Sequence, residues 1–372
     1  MRKVYFYIGT EAELIKLFPV IVQCMEMNLS VTLISNHQNN LRESILYDGK
    51  IKENMYFLPK RAPVIPLMLI GFWGRSLWLA LWALATIVTT YKFLGATKKE
   101  ENLLPLLVVH GDTISTVIGA FCGKLLGYKI FHIESGLTSR KLLNPFPEEI
   151  DRRLAGKLGD TFFCPTQLAY SSMQISTKQK KIFTHGNTMW EMLQYGNGKH
   201  NSVYKNQEYF ILVIHRQETL ANKNLFFNII KKIAENKDPQ IKCIFILHFP
   251  TRKFLESESR MEELKSLTNW VLLDRLPFFE FVELLQNAKY VLTDGGTNQE
   301  ECFYLGIPCY ILRENTERNE GINHNVVLRA NFLEGIPEFM KSFLEFKREP
   351  VQFPILPSKI IATEIARETV KA

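Results

Sequence analysis

His110-Gly111-Asp112-Thr113 closes one apolar run, Leu106-Leu107-Val108-Val109, and His132-Ile133-Glu134-Ser135-Gly136 closes another, Ile130-Phe131. Two carboxylates on one crevice, Asp112 and Glu134, are the raw material for proton transfer. The stretch between the runs, Ile114 to Leu126, has the length of one helix. That spacing predicts a βαβ unit with parallel strands. Both acids then emerge at the carboxyl edge of one sheet, where open α/β folds bind ligands. Ordinary helix caps would also use Asp and Ser at these points. Beyond Glu134, a loop with Pro145 and Pro147 leads to Glu148 and Glu149, which open a helix carrying Asp151, Arg152 and Arg153. Acids in a first helical turn suit the macrodipole without any function. The short distance from Glu134 nevertheless lets Glu148 fold back over the same crevice.

The second half offers a different chemistry. Tyr209–Ile214 reads as a strand ending in His215-Arg216-Gln217-Glu218, and Cys243–Leu247 as a strand ending in His248. His215 at a strand end beside Arg216 favours a ligand-facing role over a core histidine. Tyr290-Val291-Leu292 leads into Thr293-Asp294-Gly295-Gly296-Thr297. Two glycines let backbone approach a ligand, and a helix N-terminus behind them is an anion site whose usual occupant is phosphate. Thr297-Asn298-Gln299-Glu300 has capping-box spacing, which predicts a helix starting there.

These residues need two sheets to hold them. A chain of 372 residues suggests two domains. With 46% hydrophobic and 22% charged residues, it reads as globular. Val4–Ile8 is a strand, Gly9-Thr10 a turn, Glu13–Met27 a helix and Val31–Ile34 the next strand, completing a doubly wound first domain. No GxGxxG follows the first strand, so no dinucleotide cofactor is indicated. The six cysteines have no metal-ligand spacing, which points to a reducing compartment and no metal. The chain opens directly on a β-run rather than a signal peptide, so the expected location is cytoplasmic. The net charge of +7 is scattered, which argues for anionic small ligands or a membrane surface before nucleic acid. From Val64 to Val88 the only charge is Arg75, and Trp73, Trp78 and Trp82 fall there. Such a run fits a buried helix, a helix dipping into one leaflet at the inner face of a membrane, or, with its interruptions at Pro66, Gly71 and Gly74, a poor span. The expected divisions are 1–168, 169–355 and a helix 356–372 crossing back to the first domain.

The blocks His-Gly-Asp-Thr, His-Ile-Glu-Ser-Gly, Pro-Glu-Glu-x-x-Arg, Gly-Asn-Thr, His-Arg-x-Glu, Asp-Gly-Gly-x-x-Gln-Glu-Glu and Thr-Glu-Arg follow one another between about residues 4 and 330. That series resembles the UDP-N-acetylglucosamine 2-epimerase family. The resemblance implies two Rossmann-like α/β domains facing a cleft, the GT-B architecture. It also implies inversion of C2 of a UDP-linked N-acetyl sugar for bacterial surface polysaccharide precursors. The route is loss of the C2 proton with departure of UDP, then re-addition across the glycal; hydrolysing members release N-acetylmannosamine. It assigns Asp112, Glu134 and Glu148 as acid/base carboxylates and His215 as the histidine on the diphosphate, placed here with the catalytic set. Gly295, Gly296 and Thr297 form the phosphate turn, Glu301 is the ribose ligand, Arg318 the diphosphate clamp and Phe281 the aromatic near uracil. Lys16 and Arg152 match further substrate-side positions.

Three departures stand out. Where the family carries Gly-Thr-Arg-Pro-Glu, this chain has Gly9-Thr10-Glu11-Ala12-Glu13, a charge reversal. Where it carries Asp-Ser-Gly-Gly, Gly295 replaces the serine and Thr297 the last glycine. The tryptophan-rich run replaces an ordinary amphipathic helix. Together they keep open a membrane-associated GT-B glycosyltransferase with a nucleotide-sugar donor and a lipid-linked or glycan acceptor. The partners expected are a UDP-sugar, a membrane surface through 64–88 and a second copy of the chain, with no nucleic acid.

Overall fold

The computed structural model describes residues 3–59, 72–99, 105–138, 148–196, 203, 204 and 206–370; the side chains of 72–79 and of Glu148 lie outside that description. Strands β1 (Val4–Ile8), β2 (Val31–Ser35), β3 (Met55–Phe57), β4 (Leu106–His110), β5 (Lys129–Ile133), β6 (Thr161–Cys164) and β7 (Lys180–Phe183) form one parallel sheet in the order 3-2-1-4-5-6-7. Every residue of β1 and β4 is buried. Helices cover both faces of such a sheet, so its central strands read as continuous apolar runs rather than alternating ones. The strand order reverses between β1 and β4, and that is where a doubly wound sheet opens a crevice.

The second sheet repeats the plan. Strands β8 (Tyr209–Val213), β9 (Lys242–Leu247), β10 (Trp270–Asp274), β11 (Val291–Thr293), β12 (Cys309–Ile311) and β13 (Val326–Val327) run parallel in the order 10-9-8-11-12-13. Its reversal lies between β8 and β11, the strands that lead into His215 and Asp294.

The chain divides into two compact units, 1–192 with 353–372, and 193–352. The expected boundary at 168/169 falls earlier, because Lys180–Phe183 adds a seventh strand beside β6 in the first sheet. The C-terminal helix Pro357–Val370 packs on the helix Glu11–Glu26 of the first unit. It buries Ile361, Ala362 and Ile365 there, and Glu364 reaches Lys180 at 2.6 Å.

The helix Phe72–Lys99 is not buried on all sides. Thr86, Thr89, Thr90 and Leu94 face inward, with the Thr90 hydroxyl 2.7 Å from Tyr7 Oη. Leu81, Leu84, Val88 and Tyr91 are exposed along one stripe. Trp82 is half-buried against the first-unit core, while Trp73 and Trp78 have side chains outside the described set. Among the described residues no helix is long and apolar enough to cross a membrane.

Candidate functional site

In the first unit the site is assembled from three strand ends. The helix after β1 begins with a capping box. Thr10 accepts from Glu13 N, and Glu13 Oε2 accepts from Gly9 N at 2.6 Å and Thr10 N at 3.2 Å. The other Glu13 oxygen accepts from the Thr113 hydroxyl at the end of β4, so one buried carboxylate ties the β1 turn to the β4 turn. Burial raises its pKa, against the pull of the Thr113 and Gly9 hydrogen bonds. Glu11, at the position of the family arginine, has its backbone N–H on Asn39 Oδ1 at 3.2 Å.

Glu134 follows β5 in a left-handed backbone conformation, φ 60°. A non-glycine residue there costs about 1–3 kcal/mol and persists only where its surroundings hold it. They do: Lys16 Nζ lies 2.6 Å from Glu134 Oε2, and His110 Nε2 lies 3.2 Å from the same oxygen. Gly136, at φ 83°, lets the chain pass the Ala169 carbonyl, which a Cβ would meet at 2.2 Å. His132 Nε2 bonds the Gly111 carbonyl at 2.7 Å. Burial pushes the His132 pKa down to about 4, so its ring is neutral.

Asp112 lies in the turn after β4 and pairs with Arg152 at 2.5 Å, its own side chain 27% exposed. Arg152 also faces Glu149 at 3.5 Å, and Glu149 accepts from Thr138 at 2.7 Å. Asp112, Glu134, Lys16 and Arg152 therefore come together at the carboxyl ends of β4 and β5. Glu148 starts the helix Glu148–Leu158 as expected from sequence, with its side chain outside the described set. Glu13, which links two of these turns, was not singled out from sequence, although the Thr10-x-x-Glu13 spacing carries the signal.

In the second unit the centre is Asp294, fully buried. It accepts from His215 N at 3.0 Å, Arg216 N at 3.0 Å and the Thr219 hydroxyl at 3.0 Å. These bonds pin the end of β8 to the end of β11. The His215 ring stacks on His248 at 4.6 Å. Burial lowers the His215 pKa, opposed by Asp294 and reinforced by Arg216, Arg313 and Arg275. Burial, then His215 and Arg275, lowers His248 to about 3.

The helix Gly296–Leu305 begins directly behind this pair, capped by Gly295. Both glycines are needed by close approach. A Cβ on Gly295 would stand 2.7 Å from His215 Cε1, and one on Gly296 would stand 2.8 Å from Glu317 Oε1 and 3.4 Å from Arg318 Cδ. His215 and Arg318 thus bracket an anion-ready helix end. The capping box expected at Thr297–Glu300 does not form. The helix starts earlier, Thr297 is exposed inside its first turn, and Glu300 instead meets Arg318 Nη1 at 3.0 Å. Gln299 donates to the Arg318 and Glu320 carbonyls and accepts from Thr316, which knits the 316–320 loop to the helix. Glu301 is buried and accepts from Asn298. Phe281 is half-buried against the core that contains Val291 and Cys302.

Glu317 holds Arg216 at 2.6 Å and Arg313 at 3.2 Å. Burial alone would raise its pKa, but Arg313 and Arg216 outweigh it and hold it at about 2, against an ordinary 4.5. A depressed folded-state pKa stabilises above the unfolded value and is lost as pH falls through the folded one. Glu317→Gln should therefore cost on the order of 3 kcal/mol near neutral pH. The gap in urea midpoint between wild type and variant should close as pH falls from about 5 toward 2. A gap that ignores pH would reduce Glu317 to packing.

Comparison with known proteins bears on the family and the fold. The family profile described as UDP-N-acetylglucosamine 2-epimerase matches residues 94–349. A UDP-N-acetylglucosamine 2-epimerase homolog of Methanococcus maripaludis is 34% identical over 264 residues, 65% of this chain and 71% of that protein. A UDP-N-acetylglucosamine 2-epimerase of the same organism is 28% identical over 362 residues, 92% of this chain and 93% of that one. The crystal structure of the Methanocaldococcus jannaschii UDP-GlcNAc 2-epimerase in complex with UDP-GlcNAc and UDP superposes with a TM-score of 0.77 at 26% identity, covering 98% of this chain and 99% of that chain. Its GT-B fold, with two Rossmann-like parallel-sheet domains, is the one found here. The order of the strand-end blocks, the topology and these likenesses converge: the chain belongs to the UDP-N-acetylglucosamine 2-epimerase family, whose members are isomerases.

Proposed function

We propose that the chain inverts C2 of UDP-N-acetylglucosamine by elimination and re-addition of UDP. A carboxylate takes the C2 proton while the C1–O bond breaks and UDP leaves with the bonding pair, giving a glycal. The UDP oxygen then re-adds to C1, and a proton reaches the opposite face of C2. The observation that carries this reading is the delivery of Asp112 and Glu134 by the adjacent strands β4 and β5, beside the reversal of strand order. Asp112, Glu134 and, by its motif, Glu148 are the acid/base groups; Lys16 and Arg152 hold charge around them. His215, Gly295, Gly296, Thr297 and Arg318 take the diphosphate, Glu301 the ribose and Phe281 the uracil side. The test is incubation with UDP-N-acetylglucosamine in deuterium oxide, followed by NMR. Deuterium should enter C2 without any acceptor. No exchange, with UDP appearing only when a glycan or lipid acceptor is added, would replace the epimerase by a glycosyltransferase.

We further propose that the exposed stripe Leu81, Leu84, Val88 and Tyr91 rests on an anionic membrane surface. The support is charge: residues 72–99 contain no acid, and Arg75, Lys92, Lys98 and Lys99 are all basic. A contiguous exposed apolar patch marks an interaction site. Leu84→Ser with Val88→Ser should release the protein from phosphatidylglycerol vesicles at unchanged melting temperature. If wild type ignores vesicles and the double variant instead splits a dimer in light scattering, the stripe joins two copies of the chain.

A further inference from the structure

We propose that Asn298 is a positioning residue for nucleotide binding, orienting the Glu301 carboxylate toward the ribose; this rests on the reading of Glu301 as the ribose ligand. Asn298 Nδ2 donates to Glu301 Oε2 at 2.9 Å, and both side chains are buried. The Asn298 carbonyl oxygen accepts from the Thr293 hydroxyl at 3.2 Å, and Thr293 in turn accepts from Gly295 N at 2.9 Å. One chain of hydrogen bonds therefore runs from the phosphate turn to the ribose carboxylate. A buried carboxylate with a fixed donor keeps one orientation, so no ordering cost remains when the ligand arrives.

The same residue packs against a position that departs from the family pattern. A Cβ at Gly295 would come within 2.8 Å of Asn298 Oδ1. His215 Cε1, at 2.7 Å, and Asn298 together hold the space that a side chain at 295 would need. Glycine at 295 and asparagine at 298 thus form one unit: the polar group at the turn comes from the helix instead of from the turn itself.

The experiment is calorimetry on the full chain with UDP and with 2′,3′-dideoxy-UDP, which lacks the ribose diol. Wild type should bind UDP more tightly. Asn298→Leu should lose about tenfold in UDP affinity, the scale of one hydrogen bond to a charged group, with dideoxy-UDP nearly unchanged. The ratio between the two ligands should therefore collapse. A role in folding alone would weaken both ligands together and leave the ratio intact. Should Asn298→Leu fail to fold, Asn298→Ala removes the same donor to Glu301 without adding bulk, and the same collapse is expected. If wild type discriminates and both variants keep its ratio, the role of Asn298 is overturned. If wild type itself treats the two ligands alike, the ribose assignment of Glu301 falls instead.

Discussion

Changing Asp112 to asparagine is expected to lower kcat for C2 inversion by about 10²–10⁴-fold, the scale of a lost general acid or base. KM should move little, because a group that acts on the proton in the transition state contributes mainly there. The structure makes this variant clean. Asp112 is partly exposed, and its ion-pair partner Arg152 also faces Glu149, so asparagine does not leave that cation without a carboxylate nearby. Glu134→Gln makes the contrast. Glu134 and Lys16 are each 6% exposed at 2.6 Å, so the variant removes the charge beside a buried ammonium. Breaking such a pair costs about 3–5 kcal/mol. Both variants should therefore lose turnover, and only Glu134→Gln should also melt early. The pair of measurements is steady-state kinetics and thermal unfolding. Wild-type kcat in Asp112→Asn would remove that carboxylate from the chemistry, and a wild-type melt in Glu134→Gln would contradict the buried pair.

Asp294→Ala should have the largest effect on stability in the second unit. It leaves two backbone N–H groups and the Thr219 hydroxyl without their buried acceptor. Each orphaned donor costs about 1–3 kcal/mol, and with partial relaxation the sum should reach about 4 kcal/mol. Asp294→Asn keeps one acceptor oxygen and should lose roughly half as much. Hydrogen exchange localises the effect. Protection should fall in β8 and β11 and stay constant in β1 and β4, which belong to the other unit. UDP affinity should fall together with that protection, because His215 is held by the same carboxylate. Uniform loss of protection in both units would show that they unfold as one, and unchanged protection in β8 would sink the anchor role.

The sequence by itself determined the class of fold and the family. Parallel strands buried on both faces must be continuous apolar runs, so β1, β4, β5 and β8 are legible without coordinates, and the motif blocks sit where those runs stop. The blocks also carried the family, and the comparisons bear that out. What sequence could not determine is who meets whom. Lys16 and Glu134 are 118 residues apart, and His215 and Asp294 are 79 apart. Only the strand order, which sets β1, β4 and β5 side by side and β8 beside β11, creates those pairs. Local reading also misplaced the start of the helix Gly296–Leu305, because the Thr297–Glu300 spacing promised a cap while Arg318, brought in from a distant loop, claimed the Glu300 carboxylate. The tryptophan-rich helix shows the same division. Composition announced an apolar segment, but packing against Tyr7 and its neighbours decided that the threonines face inward and that Leu81, Leu84, Val88 and Tyr91 face outward. Propensity and burial pattern are properties of a segment; hydrogen-bond partners and exposed faces are properties of the neighbours that tertiary structure supplies.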